Sequence, residues 1–380
     1  MVDAKLAKTK NQHYVPQFYQ RFFSADLQHK TIGAYIIERR KYIPKAPIKN
    51  QSSEDYFYSP NQKVENSLGE IEKAAALVIN RIFDDYKIKL SKEDSFTLYA
   101  FTFLQIGRTL DRVNVLQENV DKITQLLLKK YVAYKKGSDD FTEHEDITRE
   151  VLESLKVKVP NPGLFTLGSH AQIILTCIDL KMKILVNKTS KSFVTSDNPA
   201  CMYSMFLERI GIPTYAFASK GLMFYMPFSK DRAVMYYDSK CYKIGFKKRE
   251  YVEITQDEDV DNLNLLTACY ANKILYCYDD SISKIELEFL ANRHDLLRPQ
   301  KRVEAFEEIM QDHEEITGVS ANSIYCHLKL SFVKELPLTS AITTETFNPQ
   351  LDMLRPIAYL KDKLVLKGDI SNILGNDNTD

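Results

Sequence analysis

Residues 159–186 read VPNPGLFTLGSHAQIILTCIDLKMKILV, and the change of character inside this stretch decides the fold. Pro160 and Pro162 cannot continue a helix and Gly163 suits a turn, so a preceding helix stops there. Residues 164–180 then carry apolar side chains at helical spacing. From Ile184 the side chains become β-branched and aromatic, the composition of strands. Towards the N-terminus, Val64, Leu68, Ile71, Ala75, Val78, Ile79 and Ile82 fall mostly three and four apart, one face of a helix. Ser91 with Asp94 three residues on forms an N-terminal capping box. The helix that it opens runs past Leu126, and another is predicted over 143–157. Towards the C-terminus, strands are predicted at 192–195, 222–226, 233–237, 251–254 and 273–278. Helices are predicted at 257–270, 282–297 and 303–313, and a strand at 323–333. Before the helices, residues 31–38 have strand composition. Residues 42–48 hold Pro44 and Pro47 and suit only an edge strand or a loop.

Helices therefore concentrate at 61–181 with strand-rich segments on either side. That order predicts an α+β fold, a helical block inserted between strand-rich segments of a mixed or antiparallel sheet, and not an alternating doubly wound one. The main domain is expected over 11–297, with 298–380 as a C-terminal extension.

Composition narrows the function classes. Lys plus Arg and Asp plus Glu are 51 each, so binding through bulk positive charge is excluded while local basic patches are not. An apolar share of 44% and a charged share of 27% exclude wholesale disorder. The six cysteines form no C-x-x-C pair and most lie in apolar runs, as expected of buried thiols in a reducing compartment. The longest apolar stretch, FTLYAFTFLQI at 96–106, is about half the ~20 residues of a spanning helix and contains Thr and Gln. The first residues, MVDAKLAKTKNQ, have no apolar core of the kind a secretory signal needs. A soluble, cytoplasmic protein without membrane contact is expected. Walker A, G-x-G-x-x-G, H-E-x-x-H and G-x-S-x-G patterns are all missing, which disfavours nucleotide motors, Rossmann dehydrogenases, zincins and common serine hydrolases.

Four patterns occur in a fixed order. The first is Asn11-Gln12-His13-Tyr14-Val15-Pro16-Gln17-Phe18-Tyr19, followed by Arg21 and Phe23. The second is Glu65 and, after Leu68, the pair Ile71-Glu72. The third is Arg108 in LQIGRT. The fourth is Thr195-Ser196-Asp197-Asn198-Pro199, followed by FYMPFSKDRAVMYY. Together, over about residues 11–297, they resemble the bacterial and fungal family called domain of unknown function 4238. The resemblance implies a fold and a set of positions but no established reaction. Two departures stand out. Gln20 replaces an apolar residue of the family pattern, which predicts a more exposed helix there. TLDR at 109–112 departs from the run that follows the family's arginine.

Five residues are candidates for chemistry. His13, in a constrained aromatic segment, suits a general acid/base or metal ligand, or else a hydrogen-bonded core histidine. Asp197 and Asn198 follow a predicted strand, where polar groups project into clefts; they also suit plain turn chemistry. Asp197 and Glu72 are the candidate ligands for a divalent metal ion such as Mg or Mn. Glu65 and Glu72, seven apart, share a helix face; a solvated or salt-bridged role is expected for Glu65, while Glu72 lies nearer the packed side. Arg108 interrupts an apolar helix and needs a partner, for which Glu72 is the natural choice; its fork also suits a phosphate or carboxylate.

Basic and aromatic residues interleave at 39–42, 129–136 and 240–251, the last reading KCYKIGFKKREY. Such segments can follow a phosphate backbone and stack bases, or form a solvated basic face. Two functions follow. One is hydrolysis of phosphodiesters by His13, Glu72, Arg108, Asp197 and Asn198 in one cleft, as in a nuclease-like effector of bacterial defence or toxin systems, the last step by analogy. The other is a non-catalytic module that binds nucleic acid or protein, with 298–380 engaging a protein partner.

Overall fold

The computed structural model describes residues 10–58, 62–136, 151, 154–278, 282–299, 302–309 and 315–355. The chain opens with β1 (Asn11–His13), α1 (Gln17–Arg21), β2 (Thr31–Ile36), β3 (Lys41–Pro47) and β4 (Ser53–Asp55). The helical block follows with α2 (Gln62–Asp84), α3 (Lys92–Gly107), α4 (Leu110–Lys136) and α5 (Pro162–Ile173). Then come β5 (Lys181–Asn187), β6 (Thr195–Ser196), β7 (Cys201–Tyr203), α6 (Met205–Arg209), β8 (Met223–Pro227), β9 (Arg232–Tyr237), β10 (Tyr242–Ile244) and β11 (Tyr251–Ile254). The last elements are α7 (Asp257–Tyr270), β12 (Ile274–Cys277), α8 (Lys284–Leu297), β13 (Val303–Ile309), β14 (Glu315–Ala321), β15 (Val333–Glu335), α9 (Pro337–Ser340) and α10 (Pro349–Asp352).

The fold is α+β, as the sequence predicts. A four-stranded antiparallel sheet runs β3-β2-β12-β6 and a five-stranded mixed sheet runs β11-β5-β9-β8-β7, with β11 and β5 its parallel pair. Strands from before the helical block (β2, β3) and after it (β6, β12) share one sheet, so the block is an insertion between two portions of that sheet. The edge assignment of residues 41–47 follows from proline chemistry. The β2–β3 register shifts at Ile32/Ala34, so Pro44 falls where no ladder donor is needed.

The core lies where α3 meets the five-stranded sheet. Ser91 caps α3 with both bonds of the box, its hydroxyl accepting from Asp94 N and the Asp94 carboxylate from Ser91 N. Phe103 of α3 packs 4.4 Å from the Phe224 ring and 5.3 Å from Tyr236. Every residue of β8 is buried, which explains its unbroken apolar run. The six cysteines are free and buried. No helix among the described residues is long and apolar enough to cross a membrane.

Several expectations are corrected. Residues 303–309 form a strand, not a helix, paired from Val303↔Ala321 to Ile309↔Glu315 in a hairpin against α4. Helical spacing there yields to pairing with the β-branched stretch Ile316-Thr317-Gly318-Val319. The strand expected at 323–333 is largely an extended segment without a ladder. Ile324, Cys326, Leu328 and Leu330 alternate into the core, while the Tyr203 hydroxyl accepts from Cys326 N at 3.0 Å and Leu328 N at 3.3 Å. Gln20 is fully buried, not exposed, and neither atom of its amide has a partner. The helix expected over 143–157 lies largely outside the described residues. The described residues after Leu297 are fastened to the elements that precede them. β15 pairs with β10, Ser331 bonds Asp259, and Arg355 reaches Asp179 at 3.0 Å and the Ser219 carbonyl at 2.9 Å.

Candidate functional site

The polar residues singled out from the sequence sort into two clusters. The first is built around the N-terminal motif. Pairing of β1 with β4 sets His13 opposite Ser53, and Tyr14 N donates to the Ser52 carbonyl at 2.9 Å. The Gln12 side chain accepts from Tyr58 N at 2.9 Å, and the Gln105 amide on α3 donates to the Tyr14 carbonyl at 2.8 Å. Arg108, the residue that ends α3, closes the cluster. Its Nε donates to the Tyr58 hydroxyl at 2.8 Å and its Nη2 to the His13 carbonyl at 3.2 Å. Its Nη1 lies 2.8 Å from Glu72 Oε1 on α2, the ion pair that the sequence suggests. One guanidinium thereby joins the N-terminal motif, the Tyr58 turn and two helices.

The electrostatics follow from burial. Burial alone would lower the basicity of Arg108, but Tyr58 and Glu72 outweigh it and hold the guanidinium charged. Burial pushes the Tyr58 hydroxyl up to about 12, so it stays neutral and bridges Arg108 to the His13 carbonyl. His13 is held below its ordinary value, chiefly by burial and further by the nearby Arg108 charge. Its Nε2 is buried with no partner. Glu65 is half-buried and not fully solvated. Burial raises its pKa against the pull of Arg108, and its Oε2 also has no partner.

The second cluster holds Asp197 and Asn198, both 1% exposed. The Asp197 carboxylate accepts from Asn272 N at 2.8 Å and Lys273 N at 2.9 Å, fixing the turn between α7 and β12. Burial pushes its pKa up to about 6, against the two N–H donors and Arg298. The Asn198 amide donates to the Tyr270 carbonyl at 2.9 Å and to Asp111 at 3.2 Å. Asp111, in the first turn of α4, pairs with Arg298 and, at 3.1 Å, with Arg302. Burial works against ionisation of Asp111, but the arginines outweigh it and hold the carboxyl below its usual range. Sequence reading missed this trio. Its signal was TLDR directly after the apolar helix, with two arginines following α8.

His13, Glu72 and Arg108 are thus joined by direct contacts, and Asp197 with Asn198 is bonded into a second buried network that reaches Asp111, three residues after Arg108. The two candidate metal ligands fall in different clusters. Glu72 is engaged by Arg108 and both Asp197 oxygens by backbone donors. No group of three His, Cys, Asp or Glu among the described residues is arranged to hold a metal ion.

A third feature lies at the surface. The 240–251 segment folds as β10, a turn and the start of β11. The turn passes through Gly245 in the left-handed region (φ +55°), where a Cβ would meet Val252 at 2.6 Å. The Lys183 ammonium donates to the Phe246 carbonyl at 2.9 Å and also to the Arg249 carbonyl, pinning the turn from below. A cavity of about 910 Å³ opens beside it, lined by Lys181, Lys183, Lys243, Lys247 and Arg249 with Glu250 as its acid. Glu250 accepts from Leu90 N at 3.1 Å. Phe246 is 68% exposed, with the Arg249 guanidinium 5.0 Å from its centroid.

An α+β chain with a helical insertion, two polar locks and a basic aromatic turn defines the class. The family model described as protein of unknown function (DUF4238) matches residues 11–281, and the chain belongs to that family. No curated protein and no solved structure matches.

Proposed function

We propose that the chain binds single-stranded nucleic acid on the face formed by β5, β10 and the turn into β11. The observation that carries this reading is the 910 Å³ cavity with five cations and one carboxylate on its lining, in a chain whose formal charge is zero. Concentrating positive charge in a concave surface focuses the field on a phosphate backbone. Phe246 at the turn supplies an exposed ring for base stacking. The aromatic and basic surface continues beyond the cavity. Arg249 lies 5.8 Å from the Tyr251 ring centroid, Tyr251 and Tyr86 meet edge to face at 5.2 Å, and Lys188 stands 4.7 Å over Tyr86. Lys183 is buried and positions the turn; the exposed Lys243, Lys247 and Arg249 make the contacts. Fluorescence anisotropy with labelled RNA and DNA single strands tests this. Lys243→Glu, Lys247→Glu and Arg249→Glu combined lower affinity at least tenfold. Unchanged affinity in that variant overturns the proposal.

A second reading, phosphodiester hydrolysis by a nuclease-like effector, is favoured by one observation: His13 Nε2 and Glu65 Oε2 are both unpaired, and both side chains feel the charge of Arg108. His13, with its pKa held down by burial, suits a proton acceptor, and Glu65, with its pKa raised by burial, a proton donor. Incubation of RNA and DNA with the protein, in EDTA and with Mg²⁺ or Mn²⁺, tests it. Cleavage abolished by His13→Ala with the melting temperature retained supports it; intact substrates in every condition exclude it.

A further inference from the structure

A second cavity, of about 550 Å³, lies between α1, α2 and the turn from β8 to β9. Two of the sequence patterns meet there: Arg21 and Phe22 come from the N-terminal motif, Lys230 and Arg232 from FSKDRAV. Arg232 is paired in place with Asp231, while Arg21 and Lys230 are exposed. Asp231 is engaged by the Ser229 hydroxyl at 2.7 Å and by Arg232 Nη1 at 2.8 Å, leaving Arg232 Nε buried without a partner. Aromatic rings line the same cavity. Phe22 and Phe83 meet edge to face at 4.9 Å, and Lys230 Nζ lies 4.2 Å over Tyr278. A volume of this size is typical of small-ligand sites, and three cations, one of them paired with Asp231, beside four rings suit a ligand with an anionic and a flat aromatic end.

We propose that this cavity takes a nucleoside phosphate, its phosphate on Arg21, Lys230 and Arg232 and its base among Phe22, Phe83 and Tyr278. The ligand is a free nucleotide or the 5′-phosphorylated end of a strand. The proposal stands apart from the basic turn of β10–β11, because it rests on other residues.

Titration calorimetry with ADP, adenosine and inorganic phosphate tests it. ADP is expected to bind at least tenfold more tightly than either part alone. Arg21→Glu with Lys230→Glu, both at exposed positions, is expected to weaken ADP at least tenfold while circular dichroism and the melting temperature stay those of the parent. The Lys243→Glu, Lys247→Glu, Arg249→Glu protein serves as the control and keeps ADP affinity, which separates this site from the strand-binding face. Displacement of ADP by a 5′-phosphorylated oligonucleotide, and not by its 5′-hydroxyl counterpart, assigns the cavity to strand ends; no displacement assigns it to free nucleotide. Failure of ADP to bind at millimolar concentration, or binding indifferent to the Arg21/Lys230 substitutions, overturns the proposal.

Discussion

Arg108→Met is the substitution that most severely tests the account of the N-terminal lock. The guanidinium side chain is 4% exposed and Glu72 is 23% exposed, so solvent screens the pair only weakly. Methionine fills most of the volume but provides none of the three bonds to Tyr58, His13 and Glu72. The Glu72 carboxylate is then left in a partly desolvated site beside half-buried Glu65. Breaking one side of a buried ion pair costs about 3–5 kcal/mol, and the Tyr58 hydroxyl and His13 carbonyl lose a donor as well. Guanidinium chloride unfolding followed by circular dichroism and tyrosine fluorescence reads the loss; the chain has 22 tyrosines and no tryptophan. Arg108→Lys keeps the charge but not the fork, and should recover less than half of the loss. A double-mutant cycle with Glu72→Gln isolates the pair, with an expected coupling of about 1.5–3 kcal/mol. A cost below about 1 kcal/mol for Arg108→Met, or no coupling, would refute the lock.

Other consequences follow from the same contacts. Gly107→Ala places a Cβ 2.5 Å from His170 Cβ, so α5 must move off α3; a loss of about 1–3 kcal/mol is expected in chemical unfolding. Asp111→Ala leaves part-buried Arg298 and buried Arg302 without their counter-charge, and should cost about 3–5 kcal/mol and expose the chain after Leu297 to limited proteolysis. Asp197, with its folded pKa raised to about 6, holds a proton that the unfolded chain has already released between the ordinary value of 3.8 and 6. Its contribution to stability is therefore present at low pH and lost as pH rises through that window. Asp197→Asn lacks this dependence, so unfolding at about pH 4 and about pH 7 should show the variant gaining relative to the parent as pH rises.

What the sequence reveals depends on how local its physics is. The capping box at Ser91, the apolar face of α2 and the proline-limited edge strand are set by neighbouring residues, and all are as read. The Glu72–Arg108 pair is also legible, because a guanidinium in an apolar helix demands a counter-charge and few are in reach. Contacts between remote segments are not. Asp111 acquires its role from arginines nearly two hundred residues away. Residues 303–309 become a strand because 315–321 pairs with them, and Gln20 is buried by the surrounding elements whatever its polarity. The site candidates show the same division: each was recognised as a polar group under constraint, but which of them share a cluster is fixed by tertiary packing. The 240–251 segment was legible as basic and aromatic, whereas its concavity comes from β5 and the Lys183 ammonium beneath the turn.

Salt-dependent binding of an RNA single strand to the intact chain addresses the central claim most directly. Neutralising n phosphates gives log Kd a slope of about 0.7n against log salt for a single strand. The account predicts a parent slope that falls by about 2 when Lys243, Lys247 and Arg249 are all replaced by glutamate, together with the loss of affinity. Equal slopes and equal affinities for parent and variant, or no binding by the parent at low salt, contradict it.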